Sequence, residues 1–248
     1  MRFMSAEFDK LANSYDDWHN NLIKGSGFSR EYFLEYKVKE VSRVLSDVAP
    51  LRILDFGCGV GDVIPYLQKY FPSARICGAD ISAESINTAR ERYPAISFVS
   101  FENGATPPSQ MDNLFGGVIE QALARFETDF DLVFIAGVFH HAPPEQHFEI
   151  LSAIKKYMAT GAKIFIFELN PLNPATRYVF NKYEKPIDKN ANLIKPGYLQ
   201  GLLREVGFVI SGRVYRIFFP YFLRGLVPFE RCLGGVPFGA HYYLWGRV

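Results

Sequence analysis

A glycine-rich run with the residue types of a ligand-binding turn spans residues 51–62, Leu-Arg-Ile-Leu-Asp-Phe-Gly-Cys-Gly-Val-Gly-Asp. Gly57, Gly59 and Gly61 lack a Cβ atom, so the backbone there can take positive φ and approach a ligand closely. The segment that follows, from Val63, is predicted to begin a helix whose free N–H groups point toward the turn. A strand, a glycine turn and a helix in this order indicate a nucleotide site in an α/β domain. The alternative is an α/β domain whose glycines serve only close packing.

Two carboxylates limit the kind of nucleotide that this site would bind. Asp55 lies just before the first glycine, where its charge would repel a pyrophosphate but attract a ligand that carries an ammonium group. Asp80 ends a second apolar run, Arg75-Ile-Cys-Gly-Ala, 19 residues after Gly61. A carboxylate at that point can accept hydrogen bonds from both hydroxyls of a ribose. The two acids therefore favour a nucleoside with an ammonium group over a dinucleotide.

Three motifs together resemble the class I S-adenosylmethionine-dependent methyltransferases, of the small-molecule kind known as type 11 or 12. They are Ile53-Leu-Asp-Phe-Gly-Cys-Gly-Val-Gly, Gly78-Ala-Asp-Ile-Ser and Phe130-Asp-Leu-Val-Phe-Ile-Ala-Gly-Val-Phe-His-His. The resemblance covers roughly residues 30–170. It implies an α/β fold that is Rossmann-like and doubly wound, with a seven-stranded sheet. In that family the sheet is mostly parallel, and an antiparallel last strand lies between strands five and six.

The resemblance also implies that S-adenosyl-L-methionine is the cofactor and that a defined set of residues binds it. The glycine turn would hold the methionine part and Asp80 the ribose. The expected cofactor-binding set is Asp55, Gly57, Cys58, Gly59, Gly61, Asp80, Ile81, Glu102, Ala136 and Tyr15. Glu102, at the tip of the third predicted strand, departs from the Gly-Asp that is usual in the family. Tyr15 belongs to an N-terminal helix that either leans over the cofactor or only docks for stability.

His140 and His141 directly follow the fourth predicted strand, at the sheet edge where ligands of open α/β folds bind. Methyl transfer from a sulfonium has a neutral leaving group, so a hydroxyl acceptor needs alignment, a water-poor pocket and a base. An imidazole suits that role at neutral pH, and we predict His141 or His140 as the catalytic base. The alternative is that one histidine caps the next helix or bonds a backbone group. We expect no metal site, because adjacent histidines point in different directions on most backbones.

The run Glu168-Leu-Asn-Pro-Leu-Asn-Pro-Ala-Thr-Arg follows the fifth predicted strand, 163–168. Its two Asn-Pro steps predict a rigid, extended loop, and we predict that Glu168, Asn170 and Arg177 bind the acceptor. The alternative is a tight turn whose asparagines bond local backbone. The run is loosely similar to bacterial methyltransferases of surface-glycan or lipid-linked pathways. That similarity implies a small acceptor or one linked to a glycan or lipid.

The resemblance implies the domain organisation, and the composition argues against some partners. We predict an N-terminal helical lid over 1–30 and a methyltransferase domain over 31–248, to which 170–240 contributes acceptor-side loops. The net charge of +1 gives no support for a nucleic-acid partner. The three cysteines lack the spacing of a metal site or a disulfide framework, which favours a cytoplasmic compartment. The sequence shows no signal peptide and no membrane-spanning apolar run.

Residues 214–238 combine many aromatic side chains with interleaved arginines. One interpretation is an apolar wall over the acceptor, or a patch that meets a membrane surface. The favoured alternative is core beneath a long loop together with a homodimer contact.

The function predicted from these residues is O-methylation of a small or glycan- or lipid-linked acceptor. Transfer to nitrogen or carbon of a small metabolite is an alternative in which the base matters less. A non-catalytic cofactor-binding protein with the same fold is the third hypothesis.

Overall fold

The computed structural model describes residues 27–46, 49–101, 114–185 and 188–248. These ranges contain seven strands that form one sheet. The strands are β1 Arg52–Phe56, β2 Arg75–Asp80, β3 Ser97–Ser100, β4 Phe130–Ala136, β5 Met158–Leu169, β6 Val209–Arg216 and β7 His241–Arg247. The α-helices of the same ranges are α1 Arg30–Val44, α2 Ile64–Tyr70, α3 Ala83–Arg92, α4 Leu114–Ala124, α5 His147–Lys155, α6 Pro174–Val179 and α7 Pro196–Glu205.

The strand order is β3-β2-β1-β4-β5-β7-β6. Strands β1 to β5 pair in parallel, whereas β7 pairs antiparallel with both β5 and β6. The predicted Rossmann-like sheet, with its antiparallel last strand between strands five and six, is therefore confirmed. This topology brings the carboxyl ends of β1 through β6 to one edge of the sheet, which we call the carboxyl edge.

Helices cover both faces of the sheet. One apolar cluster contains side chains of α4, α5 and α7, and the other contains side chains of α1, α2 and α3. Successive residues of β4 enter opposite clusters: Leu132 is buried with the second and Val133 with the first. A strand buried on both faces needs a continuous apolar run, which explains the composition of this segment.

Side-chain caps fix where several helices begin. Ser29 accepts a hydrogen bond from the Tyr32 N–H at the start of α1, and Ser82 accepts one from the Ser85 N–H at the start of α3. Asn173 does the same for α6 through the Thr176 N–H. Each cap satisfies an N–H group that has no partner within its helix.

Two regions differ from the predicted elements. Strand β5 begins at Met158 rather than at 163, and it passes through Gly161, whose φ is +78°. A π-helical turn, Phe180–Glu184, continues α6 and was not predicted.

The aromatic segment 214–238 also departs from its favoured interpretation. Tyr215 and Ile217 are buried, but most large apolar side chains beyond them are exposed, as in the 3-10 helix Tyr221–Arg231. The expectation that this segment is mainly core is therefore wrong. The predicted lid, 1–30, lies outside the described residues up to position 26. No helix in the described ranges has the length and hydropathy needed to cross a bilayer.

Candidate cofactor and acceptor site

The glycine turn after β1 has three residues at positive φ, of which one faces open space. A Cβ atom on Gly57 (φ +75°) would lie 2.2 Å from Val138 Cγ2, and one on Gly61 (φ +83°) would lie 2.9 Å from the Tyr93 ring. Gly59 has a φ of +53°, and no atom of another residue in the described ranges lies within 4 Å of its Cβ position. Gly57 and Gly61 are therefore required by packing. Gly59 instead borders a space that a ligand can enter.

Asp80 closes this space at the end of β2. Its Oδ2 accepts a hydrogen bond of 2.8 Å from the Gly59 N–H, and its Oδ1 accepts one of 2.9 Å from the Ser82 N–H. Burial raises the pKa of Asp80, although these hydrogen bonds lower it. Each oxygen keeps a second lone pair, so the carboxylate is oriented by the turn and can still accept hydroxyl hydrogens.

Asp55 lies in β1 beneath the turn and is buried. Its Oδ2 has no hydrogen-bond partner within the part of the chain that the structure describes. Burial, together with the charge of Asp80, raises the pKa of Asp55 to about 8. An unpartnered acceptor oxygen inside a protein is costly unless a ligand satisfies it, which marks Asp55 as part of a binding site.

Lys37 on α1 is a charged group of the site that the sequence analysis missed. Burial lowers its pKa to about 8, and the charges of Glu168 and Asp55 oppose this shift. Within the described ranges its ammonium group donates no hydrogen bond. The position follows from the docking of α1 on the sheet, so no local motif marks it.

His140 is held between two carboxylates. Its Nδ1 is bonded to Glu168 Oε2 at 2.6 Å and its Nε2 to Glu184 Oε1 at 2.9 Å, and all three residues are buried. Burial alone would lower the pKa of His140, but Glu168 and Glu184 raise it to about 10. His140 is thus an imidazolium at neutral pH, with both ring nitrogens engaged.

His141 is oriented by a different acid. Its Nδ1 is bonded to Asp188 Oδ2 at 2.8 Å, while its Nε2 lies 3.5 Å from Glu184 Oε1. The other Asp188 oxygen accepts the N–H groups of Asn190 and Ala191, which fixes the acid in place. The charge of His141 also lowers the pKa of Asp80.

Glu184 and Asp188 were not predicted as site residues. The π-helical turn carries Glu184 inward, and π-turns are frequent at functional sites. The Asn192 N–H donates to the His140 carbonyl and ties this region to the end of β4.

His140, His141 and Glu184 offer three ligand atoms that all lie within 4.8 Å of one another. The histidine rings are 4.0 Å apart and both approach Glu184, so the argument that adjacent histidines diverge is wrong for this pair. Hydrogen bonds to carboxylates account for these positions without an ion. The absence of a metal therefore stays a prediction.

The three residues predicted to bind the acceptor have different surroundings. Glu168 is buried, and its Oε1 accepts the Phe139 N–H at 2.8 Å while Oε2 binds His140. Asn170 is buried and donates to the carbonyls of Pro237 and Gly239. Its Oδ1 accepts the Leu172 N–H, as the tight-turn alternative expects. Arg177 is exposed on α6.

The remaining predicted cofactor-binding residues fall into two groups. Cys58 is buried in the turn, Ile81 follows Asp80 at the carboxyl edge, and Ala136 is the last residue of β4. Tyr15 and Glu102 lie outside the described residues. The structure thus gathers the glycine turn, Asp55, Asp80 and the histidine pair at the carboxyl edge.

Comparison with known proteins identifies this arrangement. A family described as a methyltransferase domain matches residues 54–164, which include the glycine turn, Asp80 and the histidine pair. The chain carries a class I S-adenosylmethionine-dependent methyltransferase domain. The predicted family is thereby confirmed, and S-adenosylmethionine is the cofactor of that family.

Relatives of the methyltransferase domain are similar over part of their length. A trans-aconitate 2-methyltransferase from Rhodopseudomonas palustris is 30% identical over 101 residues, which are 38% of this chain and 40% of the relative. A demethylmenaquinone methyltransferase from Chlorobaculum tepidum is 32% identical over 92 residues, or 37% of this chain and 36% of the relative. The chain therefore spans about two fifths of the length of the curated relatives it matches.

Solved structures share the fold over nearly the whole chain. A methyltransferase from Thermotoga maritima has a TM-score of 0.65 at 16% identity and covers 98% of this chain and 99% of its own. Magnesium protoporphyrin IX methyltransferase from Synechocystis, solved with bound S-adenosylhomocysteine, has a TM-score of 0.57 at 16% identity, with 96% of each chain covered. At these identities the likeness establishes the fold alone.

Proposed function

We propose that this protein transfers a methyl group from S-adenosylmethionine to a small-molecule acceptor. The observation that carries the proposal is the open space at Gly59, bordered by the carboxylate of Asp80. Packing within the fold explains Gly57 and Gly61. The positive φ of Gly59 favours glycine there, and the described residues leave the space beside it open to a ligand.

The residues at this space fit the chemistry of the cofactor. Asp80 offers free lone pairs to the ribose hydroxyls, and the unpartnered Oδ2 of Asp55 offers an acceptor to an ammonium group. Cys58, Ile81 and Ala136 would line the site, with Glu102 beside the adenine and Tyr15 over the cofactor. When bound, S-adenosylmethionine supplies a methyl group on a sulfonium centre.

We further propose O-methylation with His141 as the base. Asp188 accepts a hydrogen bond from the Nδ1–H of His141 and so orients the ring. Nε2, which lies 3.5 Å from Glu184 Oε1, is then the nitrogen that would take the hydroxyl proton. His140 is less suited, because its two bonded carboxylates hold it as an imidazolium. His140 is better described as a positioning residue that links Glu168 to Glu184.

The acceptor class is proposed more broadly. The name of the Rhodopseudomonas relative denotes methylation of trans-aconitate, and that small-molecule chemistry supports a metabolite acceptor. A glycan- or lipid-linked acceptor, bound near Glu168, Asn170 and Arg177, is the second class. We propose the cytoplasm as compartment because Cys58, Cys77 and Cys232 are all unpaired. A nucleic-acid partner is not expected, and a homodimer remains the alternative use of 214–238.

Substitution of Asp80 and of His141 tests the two parts of this function separately. Asp80→Ala is expected to abolish calorimetric binding of S-adenosylhomocysteine. His141→Ala is expected to keep that binding but to lose release of S-adenosylhomocysteine with a hydroxyl acceptor. Full turnover by His141→Ala would favour N- or C-methylation. No turnover with any acceptor fraction from cell extract, despite cofactor binding, would favour the non-catalytic hypothesis.

A further inference from the structure

The 3-10 helix Tyr221–Arg231 presents an apolar surface to solvent next to the candidate site. Five exposed side chains of this helix, together with that of Phe238 beyond it, form what we call the aromatic surface. The five are Tyr221, Phe222, Leu223, Leu226 and Phe229. Phe222 is 81% exposed, Phe229 63% and Phe238 61%. Because β6 runs in the same direction as β5, the segment that follows β6 lies at the carboxyl edge. Large exposed aromatic side chains in such a cluster mark an interaction surface.

This segment is anchored to the fold by its polar groups. The buried carboxylate of Glu230 accepts the N–H groups of Ile217, Phe218 and Phe219 at 3.1, 2.8 and 3.2 Å. The ring of Tyr221 contacts Phe28 edge-on, with ring centres 5.5 Å apart. The fold therefore fixes the backbone of this segment while its apolar side chains point outward.

The charges on the aromatic surface have one sign. Arg224 and Arg231 are exposed within the segment. Between 214 and 240 the sequence has one acid, Glu230, and its oxygens are used internally. Arg216 adds no free positive charge to this surface, because it pairs with the buried Glu40. The surface thus combines exposed rings with two arginines that form no ion pair with any residue in the described ranges.

We propose that the aromatic surface docks on an anionic lipid bilayer. Aromatic side chains insert at the boundary between headgroups and acyl chains, and arginines nearby are attracted by anionic headgroups. A symmetric pair of chains would instead bring together two patches that each carry Arg224 and Arg231, with no exposed acid in either segment to pair them. Docking would set the carboxyl edge beside the membrane. Its use for a lipid-linked acceptor rests on the proposed function, whereas the docking itself does not.

Vesicle flotation of the full chain tests the inference. Vesicles of phosphatidylcholine with phosphatidylglycerol are compared with vesicles of phosphatidylcholine alone, at low and high salt. The test variant is Phe222→Ser with Phe229→Ser. The matched control is Phe148→Ser with Tyr198→Ser, which removes two rings of 43% and 44% exposure from α5 and α7. A second variant, Arg224→Gln with Arg231→Gln, removes the charge.

We expect wild type and control to float with the anionic vesicles and to be released by salt. The phenylalanine variant is expected to bind at least about tenfold more weakly, and the arginine variant about thirtyfold more weakly. Absence of flotation, equal binding to neutral vesicles, or equal loss in the control would overturn the inference. So would a wild-type dimer in sedimentation that the phenylalanine variant converts to a monomer. Binding of S-adenosylhomocysteine without vesicles, measured in parallel, reports the proposed function independently.

Discussion

Replacement of Gly59 by valine separates the ligand role of the glycine turn from its packing role. Among the described residues no atom lies within 4 Å of the Cβ position, so that part of the fold presents no steric clash there. The remaining cost is the positive φ of +53°, about 1–3 kcal/mol for a residue other than glycine. For a chain of this length each kcal/mol lowers Tm by about 2–4 °C. We therefore expect a folded variant with Tm lowered by about 2–12 °C and with no measurable binding of S-adenosylhomocysteine.

Gly161→Val is the matched control for this substitution. Gly161 also has positive φ, +78°, and no atom within 4 Å of its Cβ position, but it lies near the amino end of β5, on the opposite edge of the sheet. It should lose similar stability and keep full binding. Thermal unfolding by circular dichroism and calorimetric titration are the assays. Wild-type affinity in Gly59→Val, or loss of affinity in Gly161→Val, would refute the assignment of the open space to the cofactor.

Three further predictions concern charge. Glu40→Ala should lower the free energy of unfolding by about 3–5 kcal/mol in urea titration, because it leaves Arg216, whose side chain is only 12% exposed, without its carboxylate partner. Glu35→Ala, which breaks a surface pair with Lys69, should cost less than about 1 kcal/mol, and equal losses would contradict this. The folded protein without cofactor holds the Asp55 proton up to pH about 8, while the unfolded chain releases it near pH 4, so wild-type stability should fall as pH rises between these values. Across that window the free energy of unfolding of Asp55→Asn should rise relative to that of the wild type by up to about 1.4 kcal/mol for each unit of increase in pH. If the two free energies changed with pH in the same way, Asp55 would not be protonated in the folded protein. Dialysis against a chelator should leave turnover unchanged, because carboxylates already bind the histidine nitrogens. Turnover that is lost on dialysis and restored only by a divalent ion would show that His140, His141 and Glu184 hold a metal.

The sequence contained enough information to predict the sheet and the position of the glycine turn, Asp55 and Asp80 at its carboxyl edge. The glycines, Asp55 and Asp80 lie in short strand-to-helix segments whose chemistry is local, so spacing alone places them at one edge. The apolar run of β4 predicted a strand buried on both faces for the same reason.

The acceptor side could not be predicted in this way. Glu184 reaches His140 from 44 positions away, through a π-helical turn that no residue pattern marks. Lys37 approaches Asp55 because α1 packs on the sheet, and packing between distant elements is invisible to periodicity. Asn170 shows the reverse problem: a polar residue beside a predicted active site proved to bond the carbonyls of Pro237 and Gly239.

The central claim is that the glycine turn and Asp80 together form the binding site of an adenosyl cofactor. Calorimetric titration of the wild-type protein with S-adenosylhomocysteine, repeated with Asp80→Ala, tests it most directly. The account predicts one binding site per chain in the wild type and no heat of binding in the folded variant. Wild-type protein that binds no S-adenosylhomocysteine, or a variant that binds it with unchanged affinity, would contradict the claim.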